Sequence, residues 1–182
     1  MAVHVGLFAL LVLCAILARG LLQALGLGEW DRLLGIAGSA LILGSFAYSL
    51  RKRKILTRGR PPLYLRVHEI LAWTGAVLVL VHGGARFEAV LPWLAQVAML
   101  VVVASGLTGK YLLQRAKRDL AERKKELAAE GVPPKEIETR VLGQALVVSK
   151  MARWRDVHIP LTLVFGLAAL AHAAMALFFW RW

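Results

Sequence analysis

Long stretches of the chain carry no charge, and this constrains the fold more than any other feature. Five blocks stand out, at residues 3–27, 33–50, 67–85, 89–109 and 157–180. The last two contain no Asp, Glu, Lys or Arg; the third contains one acid, Glu69, near its start, and the first is interrupted by Arg19. A helix needs about 20 apolar residues to cross the hydrocarbon core of a bilayer. Composition agrees: 59% of the 182 residues are hydrophobic and 19% charged, with mean hydropathy +0.64. A soluble domain averages about 45–50% and about 25%. A soluble enzyme, a disordered chain and a collagen-like fibre are excluded, and the expected fold class is an all-α integral membrane protein, a single domain of five transmembrane helices.

The net charge of +12 could suggest nucleic acid, but its distribution argues for topology and against a nucleic-acid partner. Seven Lys and Arg lie in residues 51–66 and twelve in 110–155, leaving Arg19, Arg32, Arg86 and Arg181 for the other side. The positive-inside rule places the two rich loops in the cytoplasm, the N-terminus inside and the C-terminus outside. The first block lacks a basic n-region, and Leu13 before Cys14 suits lipoprotein cleavage poorly; it is expected to be a retained helix. The lone Cys14 forms no internal disulfide, and the absence of C-x-x-C-H excludes covalent c-type haem.

Residues 114–152 form the one sizeable extramembrane piece. The run RDLAERKKELAAEG predicts a charged helix stopped by Gly131, and PPKEIETRVLGQALVVSKM a second, more amphipathic helix begun by Pro133 and Pro134. The pair reads as a cytoplasmic helical hairpin, either solvated at the membrane surface or offered to a partner.

Histidine carries the chemistry. His68 and His82 lie in the third block and His158 and His172 in the fifth, each pair a step of fourteen residues apart. That step turns about 1400°, some 40° short of four full turns, so both members of a pair share a helix face about 21 Å apart along the axis. Both spans start in the cytoplasm, so the helices run parallel. Side by side, they set His68 opposite His158 at the inner level and His82 opposite His172 at the outer level. Six-coordinate iron takes one imidazole from each side of a flat macrocycle, and this arrangement suits two bis-histidine b haems stacked across the bilayer. Gly75, at the midpoint of one interval, and Gly166, beside the midpoint of the other, would let helices or porphyrin edges approach closely. Arg66, Arg153 and Arg155 sit near the inner ligands, where they either reach haem propionates or serve as ordinary snorkelling residues. Glu69 reads either as a proton acceptor at a quinone site or as a satisfied interfacial acid. Trp73, Trp93 and Trp154 read as interfacial anchors. His4 has no partner at its depth.

The H-x13-H pattern on two helices resembles that of membrane-embedded di-haem b cytochromes. Its placement on the third and fifth spans is similar to the ferric-reductase-like transmembrane domain, found in NADPH oxidases, ferric reductases and a bacterial haem-binding subunit of a methionine sulfoxide reductase system. The cytochrome b superfamily has similar spacing on other helices. The resemblance covers residues 66–181 and implies His68, His82, His158 and His172 as axial ligands of two haem b irons. No FAD- or NADPH-binding domain is expected after Trp182, a departure from the family that would put any dehydrogenase on a separate chain. The implied function is transmembrane electron transfer as a cytochrome b subunit of an oxidoreductase in a bacterial inner membrane. Exchange would be with quinone, with a cytoplasmic flavin or iron–sulfur partner, or with an outer-side cytochrome. Competing readings are a non-catalytic membrane anchor or assembly subunit, and a small transporter using His for metal or protons.

Overall fold

A computed structural model describes residues 2–84 and 89–179. Every regular element among them is helical: α1 (Ala2–Ala24), a 3-10 turn (Gly28–Trp30), α2 (Asp31–Ser45), α3 (Ala47–Lys52), α4 (Pro61–Gly83), α5 (Val90–Leu107), a π turn (Thr108–Leu112), α6 (Leu113–Ala129), α7 (Pro134–Ala152) and α8 (Trp154–Phe179). The expected span ends at Ala85 and Trp180, and the cations Arg86 and Arg181, lie outside the described residues.

Five helical stretches are long and apolar enough to cross a membrane: Val5–Ala24, Gly28–Lys52, Pro61–Gly83, Val90–Ala129 and Pro134–Phe179. The second joins α2 and α3 across Phe46. Local chemistry sets several boundaries. Pro61 and Pro62 open α4, where a missing backbone N–H costs nothing. Pro134 opens α7 in the same way. Gly131, at φ 79°, turns the chain after α6 as expected. The π turn feeds α5 directly into α6, and only Arg153 separates α7 from α8. The α6–α7 hairpin packs mainly on itself, burying Leu127 and Val141, and beyond that chiefly against the segments it continues. It therefore extends from one end of the bundle, termed the hairpin end below.

Within the bundle the tightest partnerships are α2 with α4 and α5 with α8, while α1 lies across α4 and α5. Gly38 and Gly75 explain the first: a Cβ on Gly38 would lie 2.9 Å from the Gly75 carbonyl oxygen, and one on Gly75 2.8 Å from that of Gly38. Small residues allow such backbone approach where lipid supplies no hydrophobic drive between helices. Leu11 of α1, Ala76 of α4, Ala98 and Met99 of α5 and Phe165 of α8 form the central core, with Trp73 packed against it. Trp73 is thus a core neighbour, in contrast to its reading as an interfacial anchor. Outward-facing side chains such as Leu43, Leu167 and Phe178 stay exposed, the pattern of a surface meant for lipid.

Candidate functional site: two histidine levels

The helices that bear the four histidines, α4 and α8, pack chiefly against other helices. Each rests on its own neighbour, in contrast to the direct side-by-side pairing expected from the spacing. One expected juxtaposition of side chains is present between them. At the far end, the rings of His82 and His172 face each other with centroids 6.4 Å apart and planes inclined by 44°. At the hairpin end, His158 lies within electrostatic reach of His68.

Each ring is oriented by the helix behind it. His68 Nδ1 donates to the carbonyl oxygen of Ser45, 3.0 Å away at the end of α2. His82 Nδ1 donates to the carbonyl oxygen of Asp31, 2.7 Å away at the start of α2. A carbonyl only accepts, so in the neutral imidazole of each ring the proton sits on Nδ1 and Nε2 presents the lone pair. His158 is fixed through a hydroxyl: its Nδ1 lies 2.5 Å from Ser105 Oγ, and Ser105 Oγ donates to the Val102 carbonyl at 3.0 Å. That hydroxyl has one proton and spends it on Val102, so it accepts from His158. Three of the four rings therefore share one tautomer. His172 makes no side-chain hydrogen bond among the described residues.

Glycines make room for these rings. A Cβ on Gly35 would sit 2.8 Å from the His82 ring, so α2 can approach His82 only with glycine there. In the π turn, a Cβ on Gly109 would run into the Trp154 indole. Trp154 in turn meets the His158 ring edge-on at 4.8 Å, while Tyr48 of α3 lies 5.6 Å from His68. Trp154 is thus part of the hairpin-end level, a closer role than the interfacial anchoring expected of it.

The donor set fits a bis-imidazole iron. With a metal–nitrogen bond of about 2 Å on each side and the half-width of each ring added, two axial imidazoles have centres roughly 6–6.5 Å apart; the far-end pair has that separation. Metal-bound imidazole normally donates its other N–H to a carbonyl or a similar acceptor, as three of these four do. No cluster of three or more His, Cys, Asp or Glu is found among the described residues; the histidines stand as two separate pairs.

The other expected residues are distributed unevenly. Gly75 faces α2, so the close approach it permits is between helices. Gly166 has open space around it. Arg66 is exposed and, two residues before His68, projects from the opposite side of α4. Arg153 sits at the α7–α8 junction and is exposed, as is Arg155, which lies within electrostatic reach of Lys52 at the end of α3. Glu69 is paired with Lys110 of the π turn, Nζ to Oε2 at 2.5 Å, which matches the satisfied-acid reading.

Three features went unread in the sequence. Phe165 stands at the midpoint of the His158–His172 interval and is buried in the core, filling the middle height between the two levels; its spacing could have revealed it. Ser105 carries no signal of its own. Arg19 and Asp31 pair at 3.5 Å behind His82, and the cost of a cation inside an apolar block was the clue. No family model, curated protein or solved structure matches the chain.

Proposed function

We propose that the chain is the electron-transfer subunit of a membrane oxidoreductase, holding one b haem between His68 and His158 and a second between His82 and His172. The observation that carries this reading is the far-end ring separation of 6.4 Å combined with Nδ1 anchoring that leaves Nε2 free. Bound haem would supply one-electron exchange between ferric and ferrous iron. The protein's own residues supply the rest. His68, His82 and His158 arrive with their tautomer already set, which lowers the cost of ordering them on binding. Phe165 and its core neighbours fill the middle of the bundle with apolar side chains. Lys52 and Arg155 place positive charge at the hairpin-end level, where carboxylates of a prosthetic group would be received.

By the charge distribution, the hairpin end is cytoplasmic and His68/His158 is the inner level. Electrons would cross between the levels, a movement coupled to the membrane potential by about 2.3 kcal/mol per 100 mV. They would be exchanged with a quinone or with a separate flavin, iron–sulfur or cytochrome partner.

The test is vectorial. The purified chain is reconstituted into liposomes with ferricyanide sealed inside and dithionite added outside. The proposal expects reduction of the entrapped acceptor, abolished by His158→Ala and equally by His82→Ala. A membrane anchor would pass no electrons, and neither variant would then differ from the parent.

A further inference from the structure

We propose that Arg19 is the positioning residue for His82, the far-end ligand in the reading above, on which this inference rests. An arginine within an apolar span turns its charge toward partners in the protein, and Arg19 has three. Its Nη1 donates to the carbonyl oxygens of Val81 at 2.6 Å and His82 at 3.4 Å. It also meets Asp31 Oδ2 at 3.5 Å, with both side chains only 16% exposed.

These contacts close a circuit. The His82 ring donates to the Asp31 backbone carbonyl. The Asp31 carboxylate is held by Arg19, and Arg19 returns to the backbone carbonyl of His82 itself. One guanidinium thus fixes both the end of α4 that bears the ring and the start of α2 that orients it. Carbonyls in the last turn of a helix lack intrahelical donors, and Arg19 supplies one to that of Val81 and of His82. Gly84 completes the fit: at φ 54°, it caps α4 through its N–H to the Leu80 carbonyl, and a Cβ there would run into the Arg19 guanidinium.

The asymmetry with the opposite ligand gives Arg19 its weight. His172 has no side-chain hydrogen bond among the described residues, so the geometry of the far-end pair is set from the His82 side alone. At the hairpin end each ring has its own acceptor, and Arg19 touches neither.

The experiment compares the full-length chain with Arg19→Gln, Arg19→Lys and Asp31→Asn. Haem content, the low-spin resonance signal of each haem and each midpoint potential are read, with signals assigned by His82→Ala. Second-shell changes of this kind weaken metal binding about 10–100-fold. Arg19→Gln is expected to lose far-end haem to that extent, with the hairpin-end signal and potential unmoved. Arg19→Lys, which keeps the charge, is expected to restore part of the far-end signal, and Asp31→Asn to fall between. Two haems in Arg19→Gln with parental signals and potentials would overturn the proposal; so would equal loss of both haems, the mark of a general structural role. Should Arg19→Gln fail to fold, parental far-end signals in both Arg19→Lys and Asp31→Asn would overturn it. A parent chain that binds no haem at all would defeat the haem reading itself, and this role with it.

Discussion

The two histidine levels share the same helices and the same fourteen-residue interval, yet they are held in different ways. At the hairpin end, His68 and His158 each have an acceptor, the Ser45 carbonyl and the Ser105 hydroxyl, and each has an aromatic neighbour, Tyr48 and Trp154. At the far end, His82 leans on the Asp31 carbonyl behind a buried-edge ion pair, while His172 has the His82 ring as its contact. The first level distributes its restraint over two helix pairs, and the second concentrates it on one. Equal spacing along the chain therefore does not mean equal rigidity, and the far end is the level that a distant substitution can disturb.

The comparison breaks most sharply at the four histidines, if they hold haem as proposed. His158→Ala should remove the hairpin-end haem and His82→Ala the far-end haem, each halving the haem-to-protein ratio; loss of both haems from either change would mean that the levels are not independent. Next come the glycines of α2. Gly35→Val places branched carbons where the His82 ring now lies, and it should abolish far-end haem while sparing the other. Gly38→Val should instead force α2 away from α4, lowering stability by about 1–3 kcal/mol as overpacking does, and should weaken both levels, because both α4 histidines lean on α2. Thermal unfolding and haem content measured together separate the two glycines.

Smaller effects sharpen the picture. Ser105→Ala removes the acceptor of His158 Nδ1–H and should raise the hairpin-end midpoint potential alone. A hydrogen bond of about 1 kcal/mol corresponds to roughly 40 mV at 59 mV per tenfold for one electron; redox titration reads it. Smallest of all, Glu69→Gln breaks a pair that is about one-third exposed on each side. It should cost no more than about 1 kcal/mol and leave both haem spectra unchanged. A large spectral change would assign Glu69 to the site.

The five spans were legible because uncharged blocks of about 20 residues have few other uses. The hairpin was legible from Gly131 and the prolines that open α7. The shared face of His68 with His82, and of His158 with His172, followed from helical periodicity alone. Periodicity reports which residues share a face of one helix; it does not report which other helix lies against that face. So the resting of α4 on α2, and of α8 on α5, was not readable, and the sequence left open whether Gly75 served a neighbouring helix or a porphyrin edge; it lies against Gly38 of α2. Ser105 and Lys110 gain their roles from contacts 53 and 41 residues away, which no local pattern encodes. Arg19 was visible as an oddity in an apolar block, and its partners, 12 and 62 residues on, were not.

The most direct test of the central claim is the haem-to-protein ratio of the purified chain, taken with its reduced-minus-oxidised absorbance spectrum after expression with ample haem. Two non-covalent b haems per chain are predicted. Folded protein with no haem spectrum would contradict the assignment of the four histidines.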